Sequence, residues 1–107
     1  MKQKRKDALQ ELLAKVEAGN CSNNGIMFGV FGDEWLECFD AYNGSLDAAL
    51  ALHGSVLPGW QYGYEGIIAW VKMPGMRKRY SYGDPNGTTA RAWLCAILQA
   101  LVAECEP

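Results

Sequence analysis

The stretch TTARAWLCAILQALVAE, residues 88–104, decides the fold of this chain. Its apolar side chains recur at spacings of three and four residues, which predicts an α-helix with a wide apolar face. Thr88 or Thr89 is suited to cap this helix, because a threonine hydroxyl accepts a hydrogen bond from an unpaired N–H of the first turn. The apolar positions are Ala90, Trp93, Leu94, Ile97, Leu98, Leu101 and Val102. Since few polar side chains interrupt the pattern, we expect the helix to be buried along most of its length.

Three strands are predicted before this helix. The segment WQYGYE, residues 60–65, alternates aromatic side chains with small or polar ones, which indicates a strand with one aromatic face. After a turn at Gly66, the run IIAWVKM, residues 67–73, is apolar on both faces, as is typical of a central strand. A Pro-Gly turn at residues 74–75 leads to RKRYSY, residues 77–82, as the third strand. The short turns favour antiparallel pairing.

Further elements are predicted on the N-terminal side of these strands. NGSLDAALALHGSVLPGW, residues 43–60, predicts a helix with Ser45 as its N-cap and Asp47 in the first turn, where the helix dipole favours a negative charge. Its predicted apolar stripe consists of Leu46, Ala49, Leu50 and His53. Residues 7–18 predict a further amphipathic helix, and residues 26–31, IMFGVF, predict a short strand.

Together these elements predict an α+β fold. A small antiparallel sheet of about three strands, or four if residues 26–31 join it, packs against two to three helices. The core order is α-β-β-β-α, with the N-terminal helix added before it. We expect a single domain over residues 1–107, with a disordered basic tail at residues 1–6 and an irregular arm at residues 21–41.

The composition is that of an ordinary globular domain, since 50% of the 107 residues are hydrophobic and 21% are charged, with a formal net charge of −2. The cations are clustered in residues 2–6 and 77–79, whereas residues 38–71 contain no Lys or Arg. A broad polyanion-binding surface would need cations distributed across it. No apolar run approaches the length of a membrane span, and the N-terminal segment is amphipathic and unlike a signal peptide. We therefore expect a cytosolic protein.

Two motifs, NGSLDAALALHGSVLPGW and TTARAWLCAILQALVAE, together with LLAKVEAG at residues 12–19, resemble a family of short phage and prophage proteins. That family has a helix opening SLDAA, an LPGW entry to the first strand and a last helix opening TPARAWLLAIL. The resemblance covers residues 8–18 and 42–104. It implies an ABA-sandwich phage domain of unassigned function, and it brings no catalytic residues. Thr88 or Thr89 replaces the family's proline, and residues 21–41 align with no family motif.

The cysteines and the single histidine form no recognisable metal or catalytic pattern. Cys21, Cys38, Cys95 and Cys105 include no CxxC pair, whereas zinc ligands are usually paired at short spacing. Without a secretion signal we expect thiols and no disulfide framework. Cys38 and His53 are candidates for a thiol–imidazole pair. A lone histidine on the apolar stripe of a helix is more often a packed residue, and we favour that interpretation. No cofactor and no metal are expected.

An acidic cluster lies near the middle of the chain. Asp33, Glu34, Glu37 and Asp40 fall close together around Trp35. A cation site is one interpretation, but an oxygen cage needs ligands spaced along a loop that bends at a glycine. The interleaved apolar residues favour an amphipathic turn with a solvated acidic edge. These five residues are therefore a candidate interaction surface.

Three consecutive cations, Arg77, Lys78 and Arg79, are candidate phosphate contacts, with Arg91 at the start of the last helix. Helix, three strands, helix is also the order of double-stranded RNA-binding domains, but these carry several lysines where this chain has Arg91 alone. Tyrosines beside the cations suggest a stacking platform for single strands. Cross-strand aromatic pairs also stabilise sheets, however, and cations on an edge strand discourage aggregation. We therefore do not expect nucleic-acid binding.

The sequence favours a small phage or prophage-type protein that acts by binding and is not an enzyme. The leading hypothesis is protein–protein interaction in the host cytoplasm, with a host or phage protein as partner and no membrane involved. An inhibitor or modulator of a host protein, such as a component of antiviral defence, is one candidate. The alternatives are a nucleic-acid-binding accessory protein and a minor virion or assembly protein.

Overall fold

The predicted C-terminal helix is the centre of the fold. The computed structural model describes residues 2–19, 25–83 and 87–105. In it α5 (Thr89–Glu104) begins after Thr88, whose hydroxyl accepts a hydrogen bond from the backbone N–H of Arg91 at 3.1 Å. Every residue from 92 to 98 is buried. A helix that is buried all round needs neighbours on every side, and the rest of the chain supplies them.

The sheet covers one side of α5. Strands β1 (Gln61–Glu65), β2 (Ile68–Lys72) and β3 (Tyr80–Gly83) pair antiparallel in the order β1-β2-β3. Side chains of one sheet face point towards α5, because residues of a strand alternate between its two faces. This inner face consists of Tyr62, Tyr64, Ala69, Val71, Tyr80 and Tyr82. Tyr62 and Tyr64 pack on Trp93 of α5, with ring centroids 4.7 and 5.4 Å away.

A layer of helices covers the remaining sides of α5. Among the described residues these are α1 (Lys2–Glu17), α2 (Gly25–Phe31), α3 (Trp35–Tyr42) and α4 (Leu46–Val56), with a 3-10 turn at Gly32–Glu34. α1, α3 and α4 pack against α5, and α2 packs between α1 and α3. Of these described helices, α5 makes the main contacts with the sheet, so it joins the helical layer to the sheet. The buried side chains of both layers form one core.

The α+β prediction is confirmed, with a three-stranded antiparallel sheet and a central second strand. The predicted caps are also confirmed, since the hydroxyl of Ser45 accepts from the N–H of Ala48 at 3.1 Å at the start of α4. The stripe of α4 differs from the prediction. It is formed by Ala49, Leu52 and His53, which are buried, whereas the predicted Leu46 and Leu50 are exposed.

The strand predicted over residues 26–31 is wrong, because this segment is the helix α2. Met27, Val30 and Phe31 are its buried residues, and their spacing of three and four is that of one helix face. A run of six mostly apolar residues is too short for periodicity to separate a buried strand from a buried helix. The fold therefore has more helix than predicted, and its sheet has no fourth strand within the described residues.

The predictions of a disordered tail at residues 1–6 and an irregular arm at residues 21–41 are also wrong where the structure describes these residues. α1 already begins at Lys2, and the guanidinium of Arg5 donates to the carbonyl oxygen of Val30 at 3.1 Å, which joins α1 to α2. Residues 25–42 are helical throughout. Lysine, arginine and glutamine are good helix formers, so a basic start is compatible with a helix that has a packing partner. Residues 1 and 21–24 lie outside the described residues.

The central position of α5 leads to a prediction about stability. Leu94 is fully buried, so Leu94→Ala should lower the free energy of unfolding by about 2–5 kcal/mol through lost burial and a residual cavity. Leu50→Ala is a matched control, because Leu50 is 45% exposed on α4. Urea unfolding of both variants measures the difference. Equal midpoints for the two variants would contradict this description of the core.

Candidate functional site

The sheet face that points away from α5 is the candidate site. It carries Gln61, Gly63, Glu65, Ile68, Trp70, Lys72 and Ser81. No helix within residues 2–19, 25–83 and 87–105 covers this outer face, and Ile68 is 53% exposed on it. Exposed aliphatic and aromatic side chains on an open sheet face are a feature of binding surfaces. We call these seven residues, together with Arg79, the outer face.

Trp70 lies at the middle of the outer face, held between a glycine and an arginine. Gly63 is its cross-strand partner, and a Cβ atom at Gly63 would lie 2.5 Å from the nearest atom of the Trp70 ring. The ring therefore lies flat against the backbone of β1, which only glycine permits. The guanidinium carbon of Arg79 lies 4.4 Å from the Trp70 ring centroid. This cation–π contact places the guanidinium over the ring.

A shallow groove of about 640 Å³ runs beside Trp70. Its lining consists of Gly63, Tyr64, Glu65, Ile68, Trp70 and Arg79. The strand register places Glu65 beside Ile68 at the turn end, whereas Arg79 lies beyond Trp70 at the other end. The groove thus combines an apolar floor with one charge of each sign at its ends.

The predicted phosphate contacts separate into two groups in the structure. Arg79 lies over Trp70, and the ammonium of Lys78 lies 5.2 Å from the Tyr80 ring centroid, while Arg77 is exposed. Arg91 lies on α5 and contacts Tyr42, so the four cations do not form one surface.

Arg91 joins α5 to α3. Its Nε–H donates to the backbone carbonyl oxygen of Tyr42 at 3.0 Å, and its guanidinium carbon lies 4.2 Å from the Tyr42 ring centroid. These two contacts fix the N-terminal end of α5 against the C-terminal end of α3. A guanidinium held in this way stabilises the fold and is poorly placed to contact a phosphate.

The acidic candidates belong to the helical layer. Asp33 and Asp40 are exposed, whereas Glu34, Trp35 and Glu37 are half-buried, and Trp35 contacts Phe39 with ring centroids 6.5 Å apart. In the part of the chain that the structure describes, no three His, Cys, Asp or Glu side chains gather as metal ligands would. The acidic cluster is therefore an amphipathic turn and helix with a solvated edge.

His53 is a packed histidine. Its Nδ1 accepts a hydrogen bond from the indole N–H of Trp93 at 3.2 Å, so the ring proton lies on Nε2, which donates to the carbonyl oxygen of Trp60 at 3.0 Å. Burial lowers the pKa of His53, and the hydrogen bond to Trp60 opposes that shift. Both ring nitrogens are used within the fold, which leaves neither for a thiol–imidazole pair with Cys38.

The described cysteines, Cys38, Cys95 and Cys105, lie outside the candidate site. Cys38 and Cys95 are buried in the core, and Cys105 is half-buried at the end of α5. Cys21 lies outside the described residues.

Gly63, Ile68 and Trp70 were not predicted as site residues from the sequence. The run around Trp70 is apolar on both faces, which predicted burial on both faces, but nothing in the described chain covers the outer one. One signal was present in the sequence, since Gly63 lies between two tyrosines of β1. A glycine in a strand often pairs with an aromatic residue of the neighbouring strand, whose ring covers the glycine, and here that residue is Trp70.

Comparisons with known proteins add no assignment. No protein-family model, no curated protein and no solved structure matches this chain. Among the described helices, none has both the length and the apolar character needed to cross a membrane. Function is therefore inferred from the geometry of the outer face.

The first prediction from this geometry concerns Gly63. Gly63→Ala should displace the Trp70 ring and destabilise the fold by about 1–3 kcal/mol, the usual cost of forcing an extra carbon into an occupied space. Gly83→Ala on β3 is the control, because a Cβ there would meet Ile68 at 3.4 Å. Denaturant unfolding compares the two. A cost no larger for Gly63→Ala than for Gly83→Ala would contradict the flat packing of Trp70.

The second prediction concerns the pH dependence of the stability of the fold. Because the pKa of His53 is lowered in the folded state, the unfolded chain binds a proton first as the pH falls below the ordinary value of 6.5. Stability is therefore full above pH 6.5 and decreases as the pH falls towards the lowered pKa. His53 is the only histidine, so His53→Gln should remove the pH dependence just below 6.5. Thermal unfolding at several pH values tests this, and an unchanged dependence in His53→Gln would contradict it.

Proposed function

We propose that this chain is a non-catalytic binding protein and that its outer face contacts a partner protein. The observation that carries the proposal is the uncovered row of Ile68, Trp70 and Arg79, held in fixed positions by the sheet. Tryptophan and arginine are enriched among the residues that contribute most to protein–protein binding, particularly where they are rigid before binding. An exposed isoleucine beside them supplies apolar area that a partner can bury.

A protein partner fits the outer face better than a single-stranded nucleic acid does. Base stacking needs a free aromatic face, but the Trp70 ring lies close to Gly63 and has Arg79 over it, and the Tyr80 ring has Lys78 over it. Tyr62 and Tyr64 pack on Trp93 and are 42% and 48% exposed. The aromatic rings next to the cations are therefore already in contact with those cations.

The biological role that we propose follows from the resemblance to short phage proteins. The chain would act in the cytoplasm of a host cell as an inhibitor or modulator of a host protein, such as a component of antiviral defence. Its small size and rigid open sheet are compatible with a protein that acts by occupying a partner's surface.

One observation favours a second candidate, a nucleic-acid-binding accessory protein. Arg77 and Lys78 precede Arg79, so three consecutive cations lie just before β3, with Arg79 over Trp70 on the outer face and Lys78 over the inner-face Tyr80. Such a protein would bind oligonucleotides with an affinity that falls steeply as salt increases. For the proposed protein-binding function, we expect no binding above the weak non-specific level at physiological salt.

A capture experiment with matched variants tests the proposed function. Tagged wild type, Ile68→Ser and Leu50→Ser are incubated with a lysate of the host bacterium, and bound proteins are quantified by mass spectrometry. Ile68 and Leu50 are 53% and 45% exposed, so both changes remove similar apolar area, on the outer face and on α4 respectively. We expect a specific partner with wild type and Leu50→Ser, and its loss with Ile68→Ser. Equal capture by all three variants, or loss only with Leu50→Ser, would contradict the assignment of the outer face.

A further inference from the structure

Arg79 is exposed and has no anionic partner in the described structure. Its guanidinium carbon lies over the Trp70 ring, and no carboxylate within residues 2–19, 25–83 and 87–105 forms an ion pair with it. A contact with the face of a ring leaves N–H donors of the guanidinium for another partner. The planar fork of a guanidinium matches the two oxygens of a carboxylate.

The charges around the groove favour an anion at the Arg79 end only. Lys72 lies at the same end of the outer face as Arg79, whereas Glu65 lies at the opposite end of the groove. Within the described residues the ammonium of Lys72 contacts the side-chain oxygen of Gln61 at 3.4 Å, and this neutral group does not neutralise its charge. The positive potential is therefore concentrated at one end.

We infer that Arg79 binds a carboxylate of an acidic, extended segment of the partner protein, with an apolar side chain of that segment resting on Ile68. The inference rests on the proposed function and specifies its partner chemistry. The carboxylate accepts two hydrogen bonds from the Arg79 edge. The neighbouring apolar side chain buries surface of Ile68, which is half-exposed in the free chain.

The charges of a peptide segment can complement those of the groove better than the charges of a nucleic-acid backbone do. A backbone with a phosphate at every nucleotide would bring negative charge to Glu65 as well as to Arg79. A peptide can place an acidic residue at Arg79 and a neutral or basic residue at Glu65. The opposite charges at the two ends of the groove thus select a segment with uneven charge.

Titration with defined probes tests this inference. The isotope-labelled protein is titrated with a five-residue peptide that carries one Glu beside a Leu and is otherwise neutral, with the same peptide carrying Gln in place of Glu, and with oligothymidylate, while NMR follows the indole N–H of Trp70 and the Nε–H of Arg79. We expect both signals to shift and saturate with the Glu peptide and to remain unchanged with the Gln peptide. Arg79→Gln should weaken Glu-peptide binding about tenfold, as expected for a lost charge-assisted pair. Arg77→Gln is the matched control and should change it by less than about twofold.

Three outcomes would overturn the inference. These are no saturable shift with the Glu peptide, equal effects of Arg79→Gln and Arg77→Gln, and tighter binding of oligothymidylate than of the Glu peptide at physiological salt. The third outcome would indicate that the outer face binds a nucleic acid and not an acidic peptide. Capture from the host lysate distinguishes failure of this inference from failure of the proposed function. If Arg79→Gln retains a partner that Ile68→Ser loses, the outer face is still the contact surface and only the carboxylate at Arg79 is contradicted.

Discussion

The hydrogen bond from the Trp93 indole to His53 is the interaction on which the rest of the structure depends. Trp93 is 2% exposed in the centre of the core, and a buried indole N–H without an acceptor would be costly. His53 supplies the acceptor, which forces its proton onto Nε2 and directs a second hydrogen bond to Trp60. Trp60 immediately precedes β1. One short polar chain therefore fixes α5, α4 and the start of the sheet relative to one another.

The position of Trp93 also determines what the sheet can present to solvent. Tyr62 and Tyr64 pack on Trp93, so the alternation of β1 turns Gly63 to the opposite face. Gly63 is paired with Trp70, and its lack of a side chain lets that ring lie on the strand. The flat ring then provides the surface on which Arg79 stacks. The geometry of the outer face is thus a consequence of the aromatic packing in the core.

Sequence patterns predicted the parts of the fold that depend on local chemistry. The apolar spacing of α5, the hydroxyl caps at Ser45 and Thr88, and the central position of β2 all follow from nearby residues. α2 was mistaken for a strand because a short apolar run fits both structures until its packing partners are known. The roles of two arginines depend on distant contacts: Arg91 meets Tyr42, 49 residues away, and Arg79 meets Trp70 through strand register. Counting charges along the sequence does not distinguish Arg91, which joins two helices, from Arg79, which lies on the outer face.

The distribution of charge over the molecule favours approach of the proposed partner to the outer face. The acidic residues Asp33 and Asp40 are exposed on the helical layer, whereas Lys72, Arg77 and Arg79 lie on the sheet side. The helical layer also carries Lys4, Arg5 and Lys6 on α1, so its charge is mixed, whereas Glu65 is the only acidic residue of the outer face as defined above. The proposed acidic partner is attracted by Lys72 and Arg79 at one end of the outer face, which favours encounters in which this face leads. Since exposed charges are screened within about 10 Å at moderate salt, this steering acts on association rate more than on final affinity. The affinity itself must then come from contacts that exclude water, and on this face the apolar groove beside Trp70 is where such contacts can form.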